Sequence, residues 1–321
     1  MDPQNPASFN HRTELLSTGH TYHFVDQIPA NYDPQTTPTL LCIHGFPDLW
    51  YGWRHQIGPW CRGGNRIIVP DMLGYGSTDM PLDFKEYSTK RLANDLAALL
   101  DLLSVQKAVI IGHDWGSFTA TRFSLFHPHR LLGLIILSIP YTPPAPMYIP
   151  LEEVSRRANN LGYQVYFADE SSTREIENNF TVFLPLLFSK PNSGHRFTKE
   201  GELRKIILGE TEELRYYYSQ FKRGMQGPLS YYRTSKVRQE EEQAENLSSN
   251  LRTDLPVLFL WGTADPTCTQ PLIQKSYKFI PRLWDIALEE RGHWLMIEAK
   301  DDVTQTVLKW LDEMVIPKVK L

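Results

Sequence analysis

The stretch "VIIGHDWGSF", residues 109 to 118, decides the fold. An apolar, β-branched run of the kind that makes a buried strand ends at Gly112, and a helical pattern follows Trp115. Between them stand a small residue, a spacer, a polar residue, a spacer and a second small residue. That is the pattern of a nucleophile elbow, G-x-S-x-G, a sharp strand-to-helix turn that holds a reactive side chain clear of the sheet. Here Asp114 occupies the serine's place, and the reading of the chain turns on what a carboxylate does there.

Outward from the elbow, short runs rich in Val, Ile and Leu alternate with helical patterns: "TLLCIHG", "RIIVPDM", "AVIIGHD", "LLGLIILSIP", "VLFLWGTAD" and "WDIALEE". Leu92, Leu96, Leu99, Leu100 and Leu103 share one face of a 3.6-period helix, and Val303, Val307, Leu308 and Leu311 do the same near the end. Strands buried on both faces and separated by helices predict a mostly parallel sheet flanked by helices, an α/β fold. The opening "TELLSTGHTYHFVDQ" predicts instead two strands about a Thr-Gly turn, an antiparallel start to the same sheet. Between 141 and 248 the alternation stops and the patterns are helical, dense in proline and aromatic residues. We therefore expect one core domain, residues 1–140 and 249–321, split by an inserted helical cap, residues 141–248.

The 321 residues carry a formal charge of −4 with no dense Lys/Arg cluster, which argues against nucleic acid as a partner. No apolar run approaches the roughly 18 residues of a membrane span, and "MDPQNPASFNHRTE" is too polar for a signal peptide, so a cytoplasmic location is expected. The C-terminal Val319-Lys320-Leu321 resembles a peroxisomal S-K-L address with valine in place of the small residue. Cys42, Cys61 and Cys268 are odd in number and lack metal-like spacing, so reduced thiols are expected. With no G-x-x-x-x-G-K-[ST], H-E-x-x-H or C-x-x-C, the expectation is an enzyme without cofactor or metal.

In open parallel sheets, functional groups gather at the carboxyl ends of the strands. Asp114 follows "AVIIGH", Asp265 follows "VLFLWGTA", and His293 lies in "EERGHW" beyond the last strand. Each has a plain alternative. Asp114 could only cap a helix, Asp265 before Pro266 could be a turn residue, and His293 could be a satisfied loop histidine. Together, with Gly112 and Gly116 flanking Asp114, they fit one template in the chain order nucleophile, acid, histidine of α/β-hydrolases. The turn "HGFP", residues 44 to 47, can aim the Phe46 N–H opposite that of Trp115 to make an oxyanion hole, with His44 holding the loop.

An aspartate narrows the chemistry. Serine attacking saturated carbon would leave an ether, a dead end, whereas a carboxylate leaves an alkyl ester that His293-activated water can cleave. Epoxides and alkyl halides are the substrates this suits. At this point "HGFPDLWYGWRHQ", "DMLGYGSTD", "GHDWGS", "GTADP" and "GHW" resemble the epoxide hydrolase branch of the α/β-hydrolase fold over nearly the whole chain. The cap segments "LGYQVYF" and "GPLSYYR" resemble those in which that branch carries paired tyrosines, which implies Tyr163 and Tyr232 as donors to the epoxide oxygen; Tyr166 and Tyr231 are the neighbours open to confusion with them. The resemblance implies an apolar or aromatic epoxide as substrate, water as co-substrate and a vicinal diol as product. Trp50, Trp53, Phe46 and Trp115 are expected to contribute to a bulky pocket. No additional N-terminal phosphatase domain of the kind found in some animal relatives is expected. The alternatives are a haloalkane or haloacid dehalogenase of the same fold, sharing several motifs, and a non-catalytic small-ligand receptor, which a broken triad would favour.

Overall fold

The computed structural model describes residues 1–188 and 212–316; the peroxisome-like tripeptide 319–321 lies outside them. Eight strands form one sheet: β1 (His11–Leu15), β2 (Thr21–Gln27), β3 (Thr39–Ile43), β4 (Arg66–Pro70), β5 (Ala108–His113), β6 (Leu131–Leu137), β7 (Val257–Gly262) and β8 (Leu283–Leu288). Their order is β1-β2-β4-β3-β5-β6-β7-β8. β1 and β2 pair antiparallel about a turn in which Gly19 takes φ +96°, and β2 pairs antiparallel with β4. From β4 onward every pairing is parallel.

The strand order reverses direction at β3, whose neighbours are β4 and β5. Such a switch point opens a crevice at the carboxyl ends of the strands, and the 44–47 turn and the elbow both emerge there. Every residue of β3, β5 and β7 is buried. Each such Val, Ile or Leu side chain contributes about 1.5–3 kcal/mol relative to exposure. α1 (Arg54–Arg62), α2 (Thr89–Leu102) and α3 (Trp115–Phe126) flank the sheet. α2 buries Leu92, Leu96, Leu99 and Leu100, with Leu103 buried at its C-cap. The helix Lys300–Met314 buries Val303, Val307 and Leu311 together with Trp310, while Leu308 packs partly buried against the core.

β8 departs from the expectation of strands covered on both faces. Its four central residues are exposed, Trp284 and Ile286 each to 38 %, because β8 is the edge strand with β7 as its one neighbour in the sheet. Cys42, Cys61 and Cys268 are free and buried. No helix among the described residues is long and apolar enough to cross a membrane.

The described residues between β6 and β7 contain helices and no strand. They meet the core through directed bonds. Tyr217 Oη donates to Asp48 Oδ1 at 2.5 Å, Tyr231 Oη to Leu73 O at 3.0 Å, and Arg223 Nη1 to Gly76 O and Thr78 O at 2.7 and 2.6 Å. Trp50 Nε1 and Trp294 Nε1 donate the other way, to Tyr216 Oη and Leu187 O, both at 2.8 Å.

Candidate active site

At the end of β5 the backbone turns so sharply that Asp114 takes φ 53° and ψ −121°. A side-chain-bearing residue in such a region costs about 1–3 kcal/mol, so the surroundings must hold it there. Two glycines do so: a Cβ at Gly116 would overlap the backbone of Ile43, and one at Gly112 would overlap the backbone of Gly116. β3, β5 and the first turn of α3 can therefore touch main chain to main chain. Ser117 Oγ bridges Gly112 O and Leu137 O at 2.7 and 2.8 Å and accepts from Leu137 N at 2.9 Å, tying α3 to β6.

Asp114 is the N-cap residue of α3, yet its side chain makes no capping bond. Its Oδ1 instead accepts the Phe46 N–H at 2.8 Å across the crevice. Gly45 makes that approach possible, since a Cβ there would lie 2.5 Å from the Asp114 side chain. His44 holds the turn: its Nδ1–H donates to Gly45 O and its Nε2 accepts the Met72 N–H, both at 2.9 Å. Burial lowers its pKa to about 4, with Asp71 opposing, so the ring is neutral. Trp115, at the first position of α3, presents an N–H with no acceptor inside the helix.

His293 stands between two carboxylates. Its Nδ1 lies 2.8 Å from Asp265 Oδ2 and its Nε2 lies 3.5 Å from Asp114 Oδ2. Asp265 does turn the chain, accepting from the Thr267 N–H and hydroxyl with Oδ1 at 2.8 and 2.7 Å, but this leaves Oδ2 for the imidazole. Burial opposes the imidazolium, but the charges of Asp265 and Asp114 outweigh it and push the His293 pKa up to about 10. Burial likewise opposes the two carboxylates, and His293 outweighs it and lowers both. The resting state is thus an imidazolium between two carboxylates.

Tyr163 and Tyr232 approach from the inserted segment. Their ring centroids lie 6.2 Å apart, and Tyr232 is boxed by Phe46, Trp115 and Phe167 at 5.1, 5.1 and 5.0 Å. Tyr163 lines a cavity of about 200 Å³ together with Asp114 and Trp115. Burial, reinforced by the Asp114 charge, raises both phenols above their ordinary range, so each keeps its proton until a strong base appears. The two neighbours are engaged elsewhere: Tyr231 donates to Leu73 O, and Tyr166 is 41 % exposed and donates to Glu175 at 3.0 Å.

A family model described as alpha/beta hydrolase fold matches residues 38–300. Epoxide hydrolase A of Mycobacterium tuberculosis is 30% identical over 296 residues, spanning 85% of this chain and 90% of that protein. The chain belongs to the epoxide hydrolase branch of the α/β-hydrolase fold family. Bifunctional epoxide hydrolase 2 of Mus musculus is 30% identical over 326 residues, 96% of this chain, and the chain spans 56% of that relative's length. Among solved structures, epoxide hydrolase A of Mycobacterium thermoresistibile superposes with a TM-score of 0.79 at 27% identity, covering 95% of this chain and 98% of that one.

Of the residues expected in the pocket, Trp50 and Trp53 lie elsewhere. Trp50 is fully buried, its ring against Phe9 and His11 at 5.1 and 5.0 Å and its Nε1 bound to Tyr216. Trp53 is fully buried against Trp60 at 6.0 Å. Both follow "HGFP" in the chain, but the 3-10 turn Trp50–Trp53 that leads into α1 carries them into the core, and neither lines the 200 Å³ cavity; Phe46 and Tyr232, packed ring to ring at 5.1 Å, are not among its lining residues either. Conversely, the site contains residues that sequence reasoning missed. His113 Nε2–H and Ser138 Oγ–H donate to the His293 carbonyl at 2.8 and 2.7 Å, and Glu298 accepts from the Gly292 and Trp294 N–H groups at 2.8 and 3.1 Å. His113 and Ser138 sit at the carboxyl ends of β5 and β6, so the crevice rule applied to polar strand-end residues was the signal for them. Among the described residues, no group of three His, Cys, Asp or Glu is placed to hold a metal ion.

Proposed function

We propose that the chain hydrolyses epoxides to vicinal diols through a covalent ester on Asp114. One observation carries the reading: the nucleophile position holds a carboxylate that leaves the helix uncapped and faces the Phe46 N–H and His293 Nε2. The supporting division is a core of residues 1–140 and 249–321 beneath a cap of 141–248, with an apolar epoxide entering between them.

In the first half-reaction Asp114 attacks a ring carbon, the C–O bond breaks, and Tyr163 or Tyr232 gives its proton to the departing alkoxide. A phenol of raised pKa suits this role, because it is a neutral donor at rest and loses its proton only to a base as strong as an alkoxide. A halide leaving group needs no such donor, which favours the epoxide over the alkyl halide. Alkylation also removes the charge on Asp114 that holds His293 protonated. The imidazolium then releases a proton, replacing the one the tyrosine gave up, and becomes a base. Water activated by His293 attacks the ester carbonyl, the Phe46 and Trp115 N–H groups hold the oxyanion, and collapse returns Asp114 and the diol. Asp265 keeps the ring oriented throughout.

Following oxygen tests the scheme. With enzyme in excess over phenyl oxirane in ¹⁸O-water, a single turnover should give unlabelled diol and place label in the peptide containing Asp114. Labelled first-turnover diol with unlabelled Asp114 would make the carboxylate a general base and overturn the covalent route.

A further inference from the structure

The sheet ends at β8 with one edge unpaired. Arg282 O and Leu288 O accept from the Val257 and Thr263 N–H groups at 2.9 and 3.1 Å, so the even-numbered residues of β8 turn their backbone groups toward β7. The N–H and C=O groups of Leu283, Asp285 and Ala287 therefore point away from the sheet, and no strand among the described residues lies beyond them. Proteins shield such an edge with proline, lysine, a bulge or a very short strand. β8 uses none of these: it runs six residues, holds no proline or lysine, and keeps an unbroken register with β7 from Leu283 to Leu288. The opposite edge, β1, is guarded by charge, with Arg12 and Glu14 paired at 2.8 Å. On β8 the one charged side chain, Asp285, accepts from the Tyr277 hydroxyl at 2.9 Å. Trp284 and Ile286 stand exposed together on the other face, with the Arg282 guanidinium over the indole at 5.6 Å.

We propose that this edge is an interface for a second copy of the chain, the two β8 strands pairing antiparallel about a two-fold axis normal to the sheet, so that two eight-stranded sheets continue as one. Such an axis sets residues of the same parity opposite one another, because facing side chains share a face of the sheet. Of the registers that overlap the middle of the strand, charge and proline exclude all but one. Centred on Asp285, two carboxylates face each other, and centred on Ala287, Asp285 faces Glu289 on both sides of the axis; like charges directly opposite are destabilising. Centred on Trp284, the outward backbone groups of Ala287 meet Pro281, which has no N–H to give. Centred on Ile286, no like charges meet. Ile286 then faces its own copy, Trp284 faces Leu288 and Asp285 faces Ala287, which joins the exposed apolar side chains of both strands into one stripe. At each end of that stripe Arg282 of one copy comes beside the turn that carries Glu289 and Glu290 of the other, so the charges at the rim are complementary.

Sedimentation velocity on the full chain across the micromolar range should show a monomer–dimer equilibrium. Ile286→Lys sets two ammonium groups against each other at the axis and should raise the dissociation constant by about tenfold or more, the scale of one lost apolar pair with a like-charge contact in its place. Turnover of phenyl oxirane by that variant in dilute solution should match the unaltered chain, since Ile286 touches none of the catalytic groups. The register is read by cysteine. Because Ile286 turns its backbone toward β7, its pairing with its own copy is of the non-hydrogen-bonded kind, with Cα atoms about 4.5 Å apart, inside the roughly 4.4–6.8 Å that a disulfide spans. Under mild oxidation Ile286→Cys should therefore give a covalent dimer, whereas Asp285→Cys and Ala287→Cys, each offset from its own copy along the strand, should not. Cys42, Cys61 and Cys268 are buried and leave the background low. A chain that stays monomeric across the range, or a dimer that Ile286→Lys leaves intact, overturns the interface. Crosslinking through 285 or 287 in place of 286 overturns the register, and species that grow beyond the dimer with concentration overturn the closed two-fold contact.

Discussion

At the scale of single residues, the triad is a charge arrangement whose state depends on Asp114. Two carboxylates hold His293 as a cation with a pKa of about 10, against an ordinary value of 6.5. Neutralising Asp114 removes one of them, so the His293 midpoint must fall. Asp114→Asn mimics the neutral ester, and imidazole NMR of that variant should show a midpoint well below about 10; an unchanged midpoint would mean that Asp265 alone sets the charge. The same sign governs the rates. Ester hydrolysis should rise with pH through the lowered midpoint, whereas alkylation should fall in acid, where the depressed carboxylate of Asp114 becomes protonated, and again in strong alkali, where the tyrosine donors with their raised pKa values ionise. The identity of Asp114, Asp265 and His293 as candidates was legible from spacing and order. Whether Asp114 capped its helix was not, because that depends on a backbone φ of 53° and on an amide 68 residues away in the chain.

At the scale of elements, the elbow works because strand and helix meet without side chains between them. Gly116→Ala would drive a Cβ into the Ile43 backbone, which cannot move without disturbing β3 and its pairing with β5. We expect a loss of about 1–3 kcal/mol or more, as in overpacked cores, seen as a lower midpoint in urea unfolding. Activity should fall further than stability predicts, since Phe46 and Asp114 would be displaced from one another. A variant with unaltered stability and turnover would show that the close approach is dispensable. The alternation of runs and helices made these elements legible. The exposure of β8 was legible only in part: Asp285 inside the strand hints at an open face, but being last in the sheet is a property of the topology rather than of the strand.

At the scale of the whole molecule, adjacent tyrosines on one helix divide two tasks. Tyr231 fastens the inserted segment to the core through Leu73 O, and Tyr232 faces the rings of Phe46 and Trp115. Tyr231→Phe should therefore cost about 1 kcal/mol of stability, the net worth of a buried hydrogen bond, and leave the alkylation rate within severalfold. Tyr232→Phe should slow alkylation by about 10²-fold or more with little change in stability. Stopped-flow tryptophan fluorescence and thermal melts read the two separately, and exchanged phenotypes would refute the assignment. The helix that carries both tyrosines begins near Gly227, where a Cβ would lie 2.7 Å from Gly74 Cα and 2.9 Å from Met80 Cγ; Gly74 itself has φ +88°. For anyone diversifying this protein, the consequence is a pair of positions remote from the reaction that admit almost no variation. Libraries randomised at 74 and 227 should return glycine nearly alone after selection for turnover, marking the two sites as fixed points around which the rest of the pocket can be redrawn.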